Sequence, residues 1–171
     1  MNTPPRFPYS FEPLGDHDRA SFLCGVPELD RYFHLQARQD AKRKVAAPFV
    51  MVDQERRVIG YYTLSAYGIR ISELPMELAK KLPKYPLMPA TLLGRLAVSQ
   101  DYRGQKLGAM LLMDALYRSW KNTVEVASIG VVAEAYDDAA RKFYLHHEFI
   151  YLQEHPSKLF IAMQTIQKAF A

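Results

Sequence analysis

The sequence predicts an α/β fold, an α+β sandwich in which a mixed sheet carries helices on both faces. Helical and strand patterns alternate in the order βαββ, then αβαβ, then β, and such a mixture packs most naturally around one sheet. An almost purely apolar run at 126–133 is typical of a strand that is buried on both faces. The 171 residues, 49% hydrophobic and 23% charged, suit one ordinary globular domain spanning 1–171.

The predicted elements of the first half are, in order, a short strand over 9–14, a long helix from Pro27 to about Lys44, a strand over 49–53 and a strand over 58–69. Proline favours the first position of a helix, and apolar residues recur at helical spacing after Pro27. The charged segment 54–57 joins the two strands into a hairpin. Four prolines between 72 and 89 predict a looping connection around a short helix over 76–82.

The predicted elements of the second half are a strand over 90–98, a turn over 99–105, a helix through Trp120, a strand over 126–133, a helix from Asp137 to about His147, and strands over 149–153 and 159–165. Asp137 begins its helix because an aspartate side chain can accept a hydrogen bond from a free amide of the first turn. In the helix before Trp120, Leu107, Leu111 and Ala115 recur at helical spacing and mark the buried side.

Cysteine content and apolar runs bear on the location of the protein. The single cysteine, Cys24, cannot form an internal disulfide, which suits a reducing compartment. We interpret it as a small buried residue. The alternative is a catalytic thiol, but no activating base lies near it in sequence. No apolar run approaches the ~20 residues that cross a bilayer, and residues 1–10 lack the apolar core of a signal peptide. These features predict a cytoplasmic protein that does not enter a membrane.

The net charge of +4 is equalled by the surplus of residues 31–44 within the predicted long helix. Between residues 31 and 44 the basic side chains are Arg31, Arg38, Lys42, Arg43 and Lys44, against the single acid Asp40. On a helix of 3.6 residues per turn, Arg31, Arg38 and Lys42 lie within about 20° of one line. This basic stripe predicts attraction to a polyanion such as tRNA, while composition alone leaves a merely solvated helix face open.

The most informative segment, 93–120, joins an apolar strand, a basic turn with two glycines and an amphipathic helix. The turn reads Arg103-Gly104-Gln105-Lys106-Leu107-Gly108. Glycines let a backbone approach a ligand closely, and the first amides of a helix have no internal partners and carry the positive end of its dipole. With Arg103 and Lys106 beside them, they predict a binding site for a pyrophosphate. The segment is neither a Walker loop nor a dinucleotide fingerprint, because its residues and spacing differ from both.

At these residues the chain resembles the GNAT acetyltransferases, whose motif Arg/Gln-x-x-Gly-x-Gly/Ala follows a strand and begins a helix. One difference is Lys106, which stands where that family usually has its middle glycine. The resemblance implies a GNAT fold with a mostly antiparallel sheet, acetyl-CoA as the co-substrate, no metal ion, and transfer of an acetyl group to an amine. It also implies that residues 103–108 hold the pyrophosphate. The backbone that would hold the pantetheine arm is that of Leu96, Ala97 and Val98.

Four stretches resemble a narrower group, the GNAT-type toxins of bacterial toxin–antitoxin pairs: FLCGVPELDRYFHLQARQDAKRK, VIGYYTLSA, LLGRLAV and DDAARKFYLHHEF. This resemblance implies a toxin that acetylates the α-amine of aminoacyl-tRNA and so blocks translation. It implies a ribbon–helix–helix antitoxin whose C-terminal tail wraps the toxin, a homodimer, and Tyr144 as the catalytic tyrosine. One difference is Glu148-Phe149, where the family pattern often has Gly-Phe.

Tyr144 shares one side of its predicted helix with Ala140, Phe143 and His147. The reference pKa is about 10 for tyrosine and about 8.5 for a thiol, so full proton transfer to the departing thiolate is uphill by about 2 kcal/mol. We therefore expect a hydrogen bond from Tyr144 that strengthens as the thiolate forms, with late proton transfer. The residues alone, without the resemblance, favour a core tyrosine whose hydroxyl meets a backbone carbonyl.

No carboxylate stands out as a general base, and Glu134, His146 and His147 are candidates with simpler structural interpretations. An α-amine titrates at about 7.7–8.0 and a lysine amine at about 10.4, so an enzyme that acts on α-amines can work without a strong base.

Arg95 interrupts an apolar strand, and a buried arginine is costly unless it is paired. It either pairs with an acid or, as we favour, points into the acceptor cleft to meet the RNA.

Two other functions stay open at this point. The chain could acetylate a small amine or a protein N-terminus, in which case the basic helix is only a surface. It could also be a degenerate GNAT module that binds a partner without catalysis, an interpretation for which Lys106 in the glycine motif is the best support.

Overall fold

The computed structural model describes residues 7–171. The prediction that residues 1–10 are not a signal peptide therefore falls mostly on residues outside the described range. Its strands are β1 (Ser10–Pro13), β2 (Ala47–Val52), β3 (Val58–Arg70), β4 (Leu87–Val98), β5 (Gly130–Glu134), β6 (Ile150–Tyr151) and β7 (Lys158–Ala162). Its α-helices are α1 (Pro27–Leu35), α2 (Ala37–Arg43), α3 (Met76–Ala79), α4 (Leu107–Lys121), α5 (Asp138–His146) and α6 (Met163–Phe170). Short 3-10 turns lie at Ile71–Glu73, Gln100–Tyr102 and Asn122–Val124.

The seven strands form one sheet in the order β1-β2-β3-β4-β5-β7-β6. β1 pairs antiparallel with β2, and β7 pairs antiparallel with both β5 and β6. β4 and β5 are parallel, with a register that runs from Thr91↔Val131 to Leu93↔Ala133. This mixed, mostly antiparallel sheet with its helices confirms the predicted fold class.

The chain divides into two compact units, each with its own core. The first comprises the residues up to Thr63 together with Leu96–Asp114, and the second comprises Leu64–Arg95 together with Ala115–Ala171. β3, β4 and α4 each contribute residues to both units. The turn predicted to bind pyrophosphate therefore belongs to the first unit, and Tyr144 belongs to the second.

Aromatic side chains form the core of the first unit. Phe33 and Tyr61 are fully buried and stack with their ring centroids 4.4 Å apart, and Phe22 packs edge-on against both. The Tyr61 hydroxyl donates a hydrogen bond of 2.7 Å to the carbonyl oxygen of Leu29. Because Phe33 and Leu29 lie on α1 and Tyr61 lies on β3, this cluster fixes α1 against the sheet.

Aliphatic side chains dominate the core of the second unit. Val131, Val132 and Ala133 of β5 have no exposed surface, as predicted for a strand that is buried on both faces. Phe160 on β7 and Ile166 on α6 are buried as well. α6 contacts β5 and β7, and α5 contacts β7, so both C-terminal helices pack on these strands.

Most of the predicted elements are confirmed, including the neighbouring strands β2 and β3 and the helices α4 and α5. Asp137 caps α5 as predicted, because its Oδ1 accepts a hydrogen bond of 2.8 Å from the amide of Ala140. The predicted helix over 76–82 is reduced to α3, and β4 begins earlier than predicted, at Leu87. None of the helices within residues 7–171 is long and apolar enough to cross a membrane.

The prediction of one helix from Pro27 to Lys44 is wrong, since the chain breaks at Gln36 into α1 and α2. Gln36 has φ −118° and ψ −32°, outside regular helix geometry. The break serves a tertiary contact, because the Tyr32 hydroxyl donates to the Asp40 carboxylate at 2.9 Å. On a straight helix those residues would lie about 12 Å apart along the axis, too far for this bond.

The predicted strand over 159–165 is wrong beyond Ala162, where α6 begins. Thr165 and Ile166 are β-branched and favour a strand locally, but Met163, Ile166 and Phe170 recur at helical spacing and Ile166 is buried. The strand predicted over 126–133 begins only at Gly130. Helical winding continues after α4, where the amide of Val126 still donates to the carbonyl oxygen of Asn122 at 2.9 Å.

Candidate active site

Backbone hydrogen bonds hold the turn that follows β4. The amide of Ser99 donates to the carbonyl oxygen of Ile59 on β3 at 2.7 Å, and the amide of Gln100 donates to that of Leu23 at 2.8 Å. The exposed segment 103–106 then leads into α4. The end of the strand and the start of the helix are thus fixed, while the backbone between them is open to solvent.

Two residues of this turn have left-handed backbone. Gly104 has φ +81° and Lys106 has φ +58°. Glycine adopts this conformation at no steric cost, whereas for lysine it brings Cβ close to the following carbonyl oxygen and costs roughly 1–2 kcal/mol. Lysine at position 106 therefore keeps the backbone conformation typical of glycine, and its side chain is exposed.

The start of α4 is suited to binding an anion. The first amides of a helix have no acceptors within the helix, and the helix dipole places partial positive charge there. A Cβ added at Gly104 would meet no atom within 4 Å, so the space beside the turn is open. Leu107, at the first position of α4, is buried and fixes the start of the helix against the core. These residues fit the diphosphate of coenzyme A.

Close packing beneath the turn depends on Gly60 of β3. A Cβ at this position would lie 3.0 Å from the carbonyl oxygen of Ala97 and 3.2 Å from Cδ2 of Leu111. Ala97 is buried near the end of β4, with half-buried Leu96 and Val98 on either side of it. The missing side chain at Gly60 lets the end of β4 and the first turns of α4 pack directly on β3.

The guanidinium of Arg103 is engaged within the protein. Its Nη2 donates a hydrogen bond to the carbonyl oxygen of Cys24. Gly25, with φ +90°, lies so close that a Cβ there would overlap this guanidinium. The positive charge predicted beside the turn is therefore present, but its donor group is bound to the segment before α1.

Cys24 has the environment of a structural thiol. Its side chain is 5% exposed, and burial raises the pKa of the thiol to about 11. Its Sγ lies 3.7 Å from the carbonyl oxygen of Val26, to which the thiol donates. A nucleophilic cysteine needs a lowered pKa and an accessible sulfur, so these properties favour the structural interpretation over a catalytic thiol.

In the second unit, Tyr144 lies on α5 with 4% of its surface exposed. Its ring packs against Phe143 and Phe149, with centroids 5.3 and 5.1 Å away. Among residues 7–171 the Tyr144 hydroxyl has no hydrogen-bond partner, yet no fully buried side-chain oxygen or nitrogen in that range is left unpaired. The hydroxyl oxygen therefore reaches solvent, and the backbone carbonyl partner that sequence alone favours is missing from this part of the chain.

Burial raises the pKa of the Tyr144 hydroxyl well above its usual value, and nearby Tyr136 adds to the effect. At neutral pH Tyr144 is therefore protonated and can donate a hydrogen bond. Because its proton is held more tightly than in free tyrosine, this environment favours a strengthening hydrogen bond to a thiolate over complete proton transfer.

Comparison with known proteins gives the family. A model of the acetyltransferase (GNAT) domain matches residues 46–151, which is more than half of the chain. The chain belongs to the GNAT acetyltransferases. The tRNA-acetylating toxin of Mycobacterium tuberculosis is 30% identical to it over 147 residues, which cover 86% of this chain and 87% of that protein.

Two solved structures of the toxin AtaT are similar to this acetyltransferase over nearly its whole length. AtaT complexed with acetyl-methionyl-tRNAfMet has a TM-score of 0.88 and 29% identity, covering 95% of this chain and 99% of that chain. A tyrosine-to-phenylalanine mutant of AtaT, bound to the C-terminus of the antitoxin AtaR and acetyl-CoA, has a TM-score of 0.83 and 25% identity. It covers 96% of this chain and 99% of that chain.

The helix of Tyr144 ends in a turn at Glu148, the position where the GNAT pattern often has glycine. The amides of His147 and Phe149 donate to the carbonyl oxygen of Tyr144 at 3.0 and 3.1 Å. Between them Glu148 has φ +70°, a conformation that glycine usually provides after a helix. In this acetyltransferase, Glu148 and Lys106 both keep glycine-like backbone while carrying a side chain.

The three base candidates of the acetyltransferase differ in exposure. Glu134 is exposed, with its Oε1 3.9 Å from Nζ of Lys158, and His146 is exposed as well. Burial lowers the pKa of His147, and the neighbouring His146 lowers it further. His147 is therefore neutral at pH 7, which is the protonation state that a base requires.

The structure corrects the basic stripe of the acetyltransferase. Because the helix breaks at Gln36, Arg31 lies on α1 and no single helical line joins it to Arg38 and Lys42, which remain four residues apart on α2. The one acid among them, Asp40, accepts hydrogen bonds from neutral side chains. None of the five basic residues forms an ion pair with another part of the chain between 7 and 171. All five are exposed: Arg31 on α1, Arg38, Lys42 and Arg43 on α2, and Lys44 after it.

Arg95, which was also predicted to contact RNA, lies on β4 in the second unit. Its side chain is half-buried and takes part in interactions within the protein. Arg95 is therefore not a free cation, in contrast to the basic residues of α1 and α2.

Asp30 and Gly60 have structural roles that were not predicted from the sequence. Asp30 is 8% exposed, and its Oδ1 accepts the amide of Cys24 at 2.8 Å. Asp30 could have been found as an acid in the first helical turn after Pro27. Gly60 could have been found as a glycine inside a strand pattern, which often marks a close approach of two backbones.

We expect two substitutions at Lys106 to separate backbone conformation from charge. Lys106→Gly and Lys106→Val both remove the ammonium group, but a β-branched side chain is strongly disfavoured at φ +58°. Lys106→Val should lower the free energy of unfolding by about 1–2 kcal/mol relative to Lys106→Gly. Equal midpoints for the two variants in urea denaturation would show that the turn is not left-handed in solution.

Proposed function

We propose that this acetyltransferase moves the acetyl group of acetyl-CoA to the α-amine of aminoacyl-tRNA and thereby blocks translation. The observation that carries the proposal is its 30% identity, over 86% of the chain, to a protein named as a tRNA-acetylating toxin. The likeness to AtaT in complex with acetyl-methionyl-tRNAfMet supports the same acceptor. The exposed cations of α1 and α2 agree with an RNA substrate.

Acetyl-CoA would be held by backbone more than by side chains. The pairing of β4 with β5 ends at Leu93↔Ala133, and β4 continues to Val98. We assign the pantetheine arm to the backbone of Leu96, Ala97 and Val98. We assign the diphosphate to the turn formed by Arg103, Gly104, Gln105, Lys106, Leu107 and Gly108, where the free amides of α4 begin. The exposed ammonium of Lys106 would add one mobile positive charge.

Tyr144 would assist the departure of coenzyme A. The amine nitrogen attacks the thioester carbonyl carbon, a new C–N bond forms, and the C–S bond breaks to release a thiolate. Tyr144 donates a hydrogen bond that strengthens as negative charge collects on sulfur. Since burial raises the pKa of the tyrosine, the proton stays mainly on its oxygen until late in the reaction. The proton lost by the attacking nitrogen then balances the thiolate to give the free thiol.

An α-amine makes a strong base unnecessary. Its pKa of about 7.7–8.0 leaves roughly a quarter of it neutral at pH 7.4, whereas for lysine that share is about a thousandth. Loss of the second proton, after attack, is easier because the nitrogen then carries a positive charge. A water molecule or the neutral His147 would suffice for this step.

The partners of this enzyme follow from the same likeness. AtaT binds the C-terminus of the antitoxin AtaR. We propose a corresponding antitoxin here, of the ribbon–helix–helix type, whose tail wraps the toxin. We further propose that the toxin is a homodimer, that residues 1–171 act as one acetyltransferase domain, and that it works in the cytoplasm, where aminoacyl-tRNA is found.

Mass spectrometry tests the proposed reaction directly. The purified protein is incubated with acetyl-CoA and a full set of aminoacyl-tRNAs, and the aminoacyl groups are then released by mild base. We expect a mass increase of one acetyl group on at least one amino acid. Turnover of free amines or protein N-termini without any acetylated aminoacyl-tRNA would overturn the proposal in favour of another GNAT acceptor.

We expect Tyr144→Phe to retain acetyl-CoA binding and to lose most of the transfer rate. Loss of one positioned proton donor typically lowers a rate by 10²–10⁴-fold. The matched control is Tyr151→Phe, which removes a hydroxyl from an exposed tyrosine on β6. Calorimetry gives the affinity and release of coenzyme A gives the rate. A rate for Tyr144→Phe equal to that of the control would exclude Tyr144 from the chemistry.

Charge reversal on α2 tests the RNA surface. Arg38→Glu with Lys42→Glu should weaken tRNA binding, and should reduce the slope of log K against log salt by about 1.5, as expected for two lost phosphate contacts. Affinity for acetyl-CoA should stay unchanged. The control pair, Lys84→Glu with Lys168→Glu, alters net charge equally at other exposed positions. Identical losses in both pairs would indicate a general charge effect and no RNA surface on α2.

A further inference from the structure

The backbone of Cys24, in the segment before α1, forms hydrogen bonds to two other parts of the chain. The Cys24 carbonyl oxygen accepts a hydrogen bond from the guanidinium of Arg103, and the Cys24 amide donates one to Oδ1 of Asp30 at 2.8 Å. Its neighbour Leu23 accepts the amide of Gln100 at 2.8 Å. Arg103 and Gln100 belong to the turn before α4, and Asp30 belongs to α1. Cys24 therefore joins the diphosphate turn to α1 within the first unit.

This joint is closely packed, and its partners on the side of Cys24 are buried. Cys24 and Asp30 are 5% and 8% exposed, and a Cβ at Gly25 would overlap the Arg103 guanidinium. Each bond has one charged partner, a guanidinium donor or a carboxylate acceptor, and such hydrogen bonds are about twice as strong as neutral ones. The joint is therefore stiff compared with an ordinary surface loop.

Helices α1 and α2 are bonded to each other as well. The Tyr32 hydroxyl donates to Oδ2 of Asp40 at 2.9 Å, and the Gln36 side-chain amide donates to Oδ1 at 2.9 Å. The exposed Arg38 and Lys42 lie two residues before and after Asp40 on α2. Two sets of hydrogen bonds, joined through the backbone of α1, thus lie between the diphosphate turn and the basic surface.

We propose that Arg103 is a positioning residue that couples coenzyme binding at the turn to RNA binding on α1 and α2. Its guanidinium holds Cys24, and the backbone amides of the turn and Lys106 meet the diphosphate. Coenzyme binding orders the turn, and the bonds through Cys24 and Asp30 pass that order to the helices. The RNA half of this coupling rests on the proposed function, whereas the positioning role of Arg103 does not.

The coupling can be measured as the change that one ligand makes in the affinity for the other. If coenzyme raises the affinity for RNA by some factor, RNA raises the affinity for coenzyme by the same factor. For a joint of this kind we expect a factor of about 5 to 10, at the lower end of the usual range. The factor should fall to about 1 when the Arg103–Cys24 bond is removed.

Hydrogen exchange with coenzyme A alone tests the positioning role without RNA. Arg103→Gln and Lys106→Gln each remove one positive charge from the turn, but only the first breaks the joint. In the wild type and in Lys106→Gln, coenzyme at saturating concentration should slow exchange in both 99–110 and 22–44. In Arg103→Gln it should slow exchange only in 99–110. Protection of 22–44 in Arg103→Gln equal to that of Lys106→Gln would overturn the proposal.

Calorimetry with deacylated tRNA and coenzyme A tests the coupling in the absence of any reaction. We expect the affinity for each ligand to rise about 5- to 10-fold when the other is present, in the wild type and in Lys106→Gln but not in Arg103→Gln. Arg103→Lys keeps the charge and a hydrogen-bond donor group, so it should restore part of the factor and remains usable if Arg103→Gln does not fold. A factor of 1 in the wild type would overturn the coupling. A wild type that binds no tRNA would overturn both the RNA coupling and the proposed acceptor, while the exchange experiment still decides the role of Arg103.

Discussion

The left-handed backbone between β4 and α4 is the constraint on which the functional site depends. A strand can pass directly into a helix with its first amides open to solvent only if the chain reverses within a few residues. Gly104 and Lys106 make that reversal, the bond from the amide of Ser99 to Ile59 fixes its start, and buried Leu107 fixes its end. Because Gly60 has no side chain, α4 packs directly on β3. In the proposed reaction this geometry acts first, because the diphosphate would have to be held before the thioester could be presented.

Tyr144 shows how one residue can be both buried and available. Its ring lies among Phe143 and Phe149, so the side chain has little freedom, while the hydroxyl keeps access to solvent. The same apolar surroundings hold its proton in place, as the raised pKa of Tyr144 shows. A rigid, protonated donor costs little reorganisation when a thiolate appears beside it, and this is the usual origin of electrostatic catalysis. A weakly basic acceptor amine complements such a site, since it needs little help to lose its own proton.

Much of the fold could be predicted from periodicity and helix caps. The buried run around Val131, the cap at Asp137 and the amphipathic pattern of α4 are local signals, and the structure agrees with each. The break at Gln36 could not be predicted, because it depends on a hydrogen bond between Tyr32 and Asp40 that forms only once the chain has turned. α6 was missed because β-branched residues favoured a strand over the helical spacing of its buried positions.

For the candidate site, sequence motifs pointed to the turn and the tyrosine but not to the surroundings of either. That Lys106 adopts the backbone of a glycine is a property of the folded turn and has no local signal in sequence. The partner of Arg103 lies far away along the chain, at Cys24, and such a contact has no spacing from which it could be inferred. Charge counts correctly identified a basic region, while its division between two helices required the structure.

The burial of Cys24 has a practical consequence for following this enzyme. The chain contains one cysteine, and burial raises the pKa of its thiol to about 11, so at pH 8 roughly one in a thousand of these groups is ionised. Free coenzyme A carries an exposed thiol that no burial penalises, so a far larger share of it is ionised and accessible at the same pH. A thiol-specific dye added to native protein would therefore report almost entirely on product, which makes continuous colour development a direct record of turnover.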